Sequence, residues 1–358
     1  MTANQAETHR SARPRQRFDW GGLLNKHALT MILVVLVAFF AIRLPGTFLT
    51  GTNVSSTLAT QSVAAFLALA VLVPMVAGHF DLSVGYMLGL TCMTTIGFQA
   101  KQGMDWGAAV ALSLLLGVLV GVLNGMLVVV AKINSFIATL GTGSLAYAIG
   151  LWYSEGQSII GTFPDAFAAI GSVKNNVPLP AIYVVIAAVV IWLILEFTPL
   201  GRRLYVVGDS PRTATLLRVP TGAMTVGSFA TAGLLTAIAG VILASQLQTA
   251  QSSTGPEYLL PAFAAVFLGS TAVRPGRANT WGTIIAVLVL ATLITGLQQI
   301  GLAAWVQPLV NGVMLIGAVG AAGVVQRRRS QRAKAKESSN RLSQQAGSVS
   351  HERDKAGV

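Results

Sequence analysis

Thr198-Pro-Leu-Gly-Arg-Arg-Leu-Tyr-Val-Val-Gly-Asp-Ser-Pro-Arg-Thr-Ala-Thr-Leu-Leu-Arg-Val-Pro220 is a polar, basic insert between two long apolar runs, residues 180–197 and 222–246. That contrast decides the fold class. A membrane helix needs about 20 consecutive apolar residues, and a charged stretch between two such runs has to lie outside the bilayer. The insert carries Arg202, Arg203, Arg212 and Arg218, together with its own helix signals. Asp209 or Ser210 can cap, Pro211 suits a first helical turn, and Ala214, Leu216 and Leu217 form a short apolar stripe. A small helix outside the bilayer in mid-chain reads as a docking handle for a partner on the same face. An ordinary positively charged loop fits the spacing equally well.

The rest of the chain extends the pattern. Of its 358 residues 53% are hydrophobic and 10% charged, against about 25% charged in a soluble domain, and the mean hydropathy is +0.67. The fold class is therefore an all-α integral membrane protein. Apolar runs fall at 28–42, 54–77, 82–99, 107–130, 136–153, 180–197, 222–246, 259–273, 280–300 and 304–325, which predicts about ten spans. The first and eighth are short, and Pro261 marks the eighth as bent or only partly spanning. With both termini cytoplasmic, 21 of the 24 Lys and Arg fall on the inner side, leaving Arg43, Lys101 and Lys174 outside. This is the partition the positive-inside rule expects.

The net charge of +12 sits largely in two tails, a basic arm at 1–27 and a polar segment at 326–358 expected to be disordered, flanking a membrane domain at 28–325. Membrane lipid and orientation account for it without nucleic acid. The first apolar run is followed by Ile42-Arg43-Leu44-Pro45 rather than a small-residue cleavage pattern, so it is expected to remain as the first span. The single cysteine, Cys92, excludes an internal disulfide. Gly117-x-x-x-Gly121-x-x-x-Gly125 predicts close helix packing.

Several chemistries are excluded or weakened. No Gly-Lys dipeptide occurs, so there is no phosphate-binding loop of the Gly-x4-Gly-Lys kind. Histidine and cysteine spacing offers no metal site, and neither a catalytic residue nor a cofactor is expected. Ser144 lacks a histidine base in the bundle, which argues against an intramembrane hydrolase. Asp81, in Ala77-Gly-His-Phe-Asp-Leu-Ser-Val-Gly85, is the one acid at a span boundary that draws notice, either as a helix cap shared with Ser83 or as a polar hinge beside a pathway. One such acid is thin support for ion coupling, which places the energy source outside this chain. Asn124, Thr139, Thr142, Gln246, Gln248, Gln298 and Gln299 suit either interhelical bonding or a neutral polyhydroxy solute. Trp152, Trp281 and Trp305 suit an interfacial belt or stacking on that solute.

Six segments, in order, resemble the permease subunit of ribose-type sugar ABC importers. They are Gly78-His-Phe-Asp-Leu-Ser-Val-Gly85, Asn124-Gly-Met-Leu-Val-Val-Val130, Phe136-Ile-Ala-Thr-Leu-Gly-Thr142, Thr198-Pro-Leu-Gly-Arg-Arg-Leu-Tyr-Val-Val-Gly208, Phe263-Ala-Ala-Val-Phe-Leu-Gly269 and Arg274-Pro-Gly-Arg-Ala-Asn-Thr-Trp-Gly282. The turn at Gly78 has His-Phe where Gly-Ile is common, Pro261 stands where an acid is frequent, and Ser270 replaces a glycine.

The resemblance implies a multi-pass subunit of the bacterial inner membrane that imports a monosaccharide such as a pentose. A separate ATPase subunit would drive it, and a periplasmic or lipid-anchored sugar-binding protein would supply it. A second permease copy would complete a homodimer. It further implies that the loop at about 198–220 couples to the ATPase through Gly201, Arg202, Arg203, Gly208, Asp209, Arg212 and Leu217. Asp81, Ser83, Asn124, Thr139 and Thr142 are the candidates for the translocation pathway. The alternatives are a secondary transporter of a neutral polar solute, or a related permease for nucleosides, autoinducer-type sugars or branched-chain amino acids.

Overall fold

The computed structural model describes residues 20–303, 305–320 and 323. The 326–358 tail and most of the 1–27 arm lie outside these. Thirteen helices carry the described chain: α1 (Trp20–Arg43), α2 (Gly51–Val76), α3 (Ser83–Ala100), α4 (Trp106–Val129), α5 (Ser135–Ser154), α6 (Asp165–Ile170), α7 (Leu179–Phe197), α8 (Pro199–Asp209), α9 (Pro211–Leu216), α10 (Thr221–Leu247), α11 (Leu259–Gly269), α12 (Thr280–Gln299) and α13 (Val306–Gly320). Each of the ten apolar runs falls on one of them. Six of these, α2, α4, α5, α7, α10 and α12, are long and apolar enough to cross a bilayer.

Local chemistry sets many of the boundaries. The Thr50 hydroxyl accepts from Asn53 N at the start of α2, and Asp105 accepts from Gly107 N at 2.8 Å ahead of α4. Asn134 accepts from Phe136 N at 2.9 Å before α5, and Asn279 from Gly282 N at 2.8 Å before α12. Each removes an orphan donor that a helix start leaves unmet.

α2 is the central post. From Val63 to Leu72 it is buried on every side, because α10, α11, α12 and α7 all pack on it. α4 and α7 instead show rows of exposed leucine, valine and isoleucine, as suits helices turned toward lipid. The glycine series of α4 meets α10 as the spacing predicts: a Cβ on Gly117 would lie 2.6 Å from Ala237 Cβ, and one on Gly125 2.6 Å from Val226 Cα. These two helices form the most extensive contact in the fold.

Two elements stand apart from the long helices. The 165–170 segment is a helix whose Phe167 is fully buried. It is tied to α10 by Ser245, which donates to Phe167 O at 2.7 Å and accepts from Gly171 N at 2.8 Å. The eighth run yields only the 11-residue α11. Before it, the chain pairs β4 (Thr249–Ala250) antiparallel with β1 (Ile159–Ile160), then proceeds through two 3-10 turns over 252–258. That non-helical segment is set against α3 by glycines: a Cβ on Gly255 would come within 2.6 Å of Gly89 N. A second strand pair, β2 (Val173–Lys174) with β3 (Val177–Pro178), closes through Asn175 and Asn176, both left-handed.

Candidate functional site

The basic insert folds as a helical hairpin, α8 followed by α9. Thr198 caps α8 through Gly201 N at 3.3 Å, and Ser210 caps α9 through Thr213 N at 3.3 Å, with Pro211 in its first turn. Asp209 is therefore the last residue of α8 and not a cap. α8 is amphipathic: Gly201, Leu204 and Val207 face the bundle, while Arg202 and Arg203 face out. On α9 only Ala214 of the apolar stripe is buried. Leu216 is 85% exposed and Leu217 62%, beside the exposed Arg212 and Arg218. Among the described residues, none of the four arginines pairs with a carboxylate.

The hairpin is pinned to the bundle at two places. Gly208 sits directly on the α2–α3 connection, where a Cβ on Gly78 would lie 3.2 Å from Gly208 Cα and one on Gly208 3.0 Å from Gly78 N. Gly78 has φ +83°, so only glycine suits both the turn and the approach. The second place is the connection between α11 and α12. Arg277 donates to Asp209, Tyr205 donates to Ala278 O at 3.0 Å, and Arg274 pairs with Glu196 at the end of α7. Nothing local in the chain signals these ion pairs, since their members lie 68 and 78 residues apart.

Behind the Gly78 turn lies a buried polar chain joining α3, α4 and α5. Thr142 Oγ1 donates to Asn124 Oδ1 at 2.6 Å, Asn124 Nδ2 to Ser83 Oγ at 2.9 Å, and Ser83 Oγ to Asp81 Oδ1 at 2.6 Å. Ser83 N also donates to Asp81 Oδ1, so Asp81 serves the start of α3. Every donor in this polar chain points toward the Asp81 carboxyl, whose Oδ1 accepts both bonds from Ser83. Burial pushes the Asp81 carboxyl up to about 6, against the opposing pull of its hydrogen bonds from Ser83. Thr139 accepts from Leu82 N at 3.0 Å and donates to Ser135 O at 2.7 Å. All five pathway candidates thus gather in one cluster, each at most 7% exposed, with their hydrogen bonds made to protein.

His79 and Phe80 complete the turn. His79 lies 3.3 Å from the Thr225 hydroxyl, and burial lowers its pKa. Phe80 packs on Phe263 and Phe267 of α11. A cavity of 300 Å³ separates this turn from Pro211, Gly222 and Val129. The remaining polar candidates do other work. Gln246 donates to Ala59 O, Gln299 donates to Asn53 Oδ1, Gln248 is the left-handed cap of α10, and Ser144 donates to Leu140 O.

Comparison with known proteins agrees with this architecture. The family described as "Branched-chain amino acid transport system / permease component" matches residues 53–319. The chain is 33% identical over 307 residues to the ribose import permease protein RbsC of Bacillus subtilis, covering 85% of this chain and 95% of that protein. It is 35% identical over 255 residues to the autoinducer 2 import system permease protein LsrD of Escherichia coli and of Shigella flexneri, covering 70% of this chain and 77% of those proteins. No solved structure matches the chain. With a bundle of membrane-length helices and a family match across most of its length, the chain belongs to the branched-chain amino acid transport system permease family and is a multi-pass transport component rather than an enzyme.

Proposed function

We propose that this chain is the membrane-spanning subunit of an ATP-binding-cassette importer that carries a monosaccharide, a ribose-like pentose or a close relative, across a bacterial inner membrane. A binding protein on the outer face delivers the sugar and a separate ATPase subunit on the inner face supplies the energy. The ten apolar helices are taken as ten spans with both termini inside, the arrangement that puts 21 of 24 basic residues on the cytoplasmic side. Two copies of the chain line the pore between them.

The α8–α9 hairpin carries this reading. It offers four exposed arginines with no carboxylate partner among the described residues and two exposed leucines, on a base pinned at Gly208 and Asp209. A basic rim around an apolar tip is a surface for a partner with an acidic groove. Push on that hairpin reaches the Gly78 turn directly, and the chain from Asp81 to Thr142 then moves the ends of α3, α4 and α5 together. In this scheme Asp81, Ser83, Asn124, Thr139 and Thr142 transmit the movement beside the pathway.

Replacing Arg202 and Arg203 with Glu tests it in reconstituted vesicles. Uptake is expected to fall at least about tenfold, an effect of about 1.4 kcal/mol or more on coupling, and the ATPase subunit is expected to stop co-purifying while the permease stays inserted. Unchanged uptake with a retained ATPase would remove the hairpin from the coupling role.

A further inference from the structure

At the end of the bundle away from the hairpin, a cleft of 310 Å³ opens between α2, α12, α13 and the coil that precedes α11. Its volume lies at the small end of the range of about 300–1,000 Å³ found for small-molecule sites. Thr60 and Gln61 enter from α2, Glu257 and Tyr258 from the coil, and Gln298 and Gln307 from the opposite wall. Val287 and Leu290, at the middle of the 20-residue α12, line its deep end. The coil reaches that depth because Gly255 fits against Gly85 and Gly89 of α3. A broken helix that starts near the membrane middle beside polar side chains is a recurrent way to hold a solute in transit.

The polar groups here differ from those behind the Gly78 turn. Among the described residues, the side chains of Thr60, Gln61 and Glu257 have no hydrogen bond or ion pair with protein, and Gln298 has only a 3.3 Å contact with Gln307. Amides that both donate and accept, a carboxylate that can take two adjacent hydroxyls, and the face of Tyr258 match a small polyol. No described Lys or Arg lines the cleft to balance a solute carboxylate or phosphate. Glu257, just ahead of α11, already supplies the negative charge that a helix start favours.

We propose that this cleft is where a neutral polyhydroxylated solute rests on entering the permease, hydrogen-bonded by Gln61, Glu257 and Gln298 with its ring against Tyr258. The proposal rests on the importer reading above and adds the place and the donor set.

The only cysteine, Cys92, is buried in the core, so single-cysteine probes are practical. Gln61→Cys and Gln298→Cys, with the exposed Ser158→Cys as control, are made in a Cys92→Ser background and labelled in right-side-out vesicles with a membrane-impermeant maleimide. Ribose at up to about 100 mM is expected to slow labelling at positions 61 and 298 by about threefold or more, as occupancy by a weak ligand requires. It should leave position 158 unaffected, and leucine should protect neither cleft position. Absence of labelling at 61 and 298, or labelling indifferent to ribose, overturns the cleft; protection by leucine overturns the solute class. ATP-dependent ribose uptake by the wild-type importer is measured separately. Normal ATP-driven uptake without protection condemns the cleft alone, whereas uptake independent of ATP condemns the importer reading.

Discussion

The two ends of the bundle treat their polar groups in opposite ways. Around the α8–α9 hairpin, Asp81, Ser83, Asn124 and Thr142 form a closed chain, Asp209 has Arg277, and Glu196 has Arg274. Around the cleft at the other end, Thr60, Gln61 and Glu257 have no protein partners among the described residues. A saturated network is stiff, because moving one member strands the next at a cost of about 1–3 kcal/mol per buried group. An unsaturated cleft holds exchangeable water and yields it to a solute with hydroxyls of its own. In the proposed importer, stiffness suits the end where force would enter, and open valence suits the end where cargo would enter.

The largest expected effect comes from uncoupling the stiff end. Gly208→Leu places a side chain against Val76 O and the Gly78 backbone, which cannot yield without displacing the hairpin. ATP-driven uptake is expected to drop about a hundredfold, about 2.7 kcal/mol, with the ATPase still attached through the arginines. Uptake near normal would mean that the hairpin acts through some other contact. Next comes Asn124→Ala, which removes the donor to Ser83 Oγ and the acceptor of Thr142 Oγ1 together. A loss of about 1–3 kcal/mol in stability is expected, read as a lower thermal midpoint in detergent. Gln61→Ala, in the unsaturated cleft, should leave that midpoint unchanged, and equal destabilisation by both would erase the distinction between the ends. Smallest is Asp81→Asn. Only Oδ1 is used, and an amide oxygen accepts the same two bonds from Ser83. Uptake should stay within about threefold of wild type, a difference below about 1 kcal/mol. Complete loss in a normally expressed variant would assign Asp81 a role that needs its charge.

Much of this was legible in the chain, residue by residue where local chemistry decides. Ser210 and Pro211 announced a short helix, Pro261 a short eighth run, and Gly117, Gly121 and Gly125 a tight seam. Asp81, Ser83, Asn124, Thr139 and Thr142 were separately recognisable as polar residues in apolar surroundings. Their union was not, because hydrogen bonds between α3, α4 and α5 depend on helix rotation that hydropathy does not report. The contact of Gly78 with Gly208 spans 130 residues of sequence and leaves no local mark. Leu216 and Leu217 looked like core by period, yet a helix of 6 residues has room to bury only Ala214. The cleft draws on several distant segments, and of its polar members only Gln298 stood out as a solute-binding candidate beforehand.

α11 has 11 residues, a rise of about 16 Å against a hydrocarbon thickness of about 30 Å. A rod that covers half the distance obliges the chain to bring bare backbone into the interior of the bilayer, where lipid tails offer nothing to bond. The shortfall therefore ties the stump to its neighbours: the strand pairing of Thr249–Ala250 and the glycine seat on α3 shelter backbone that lipid could not.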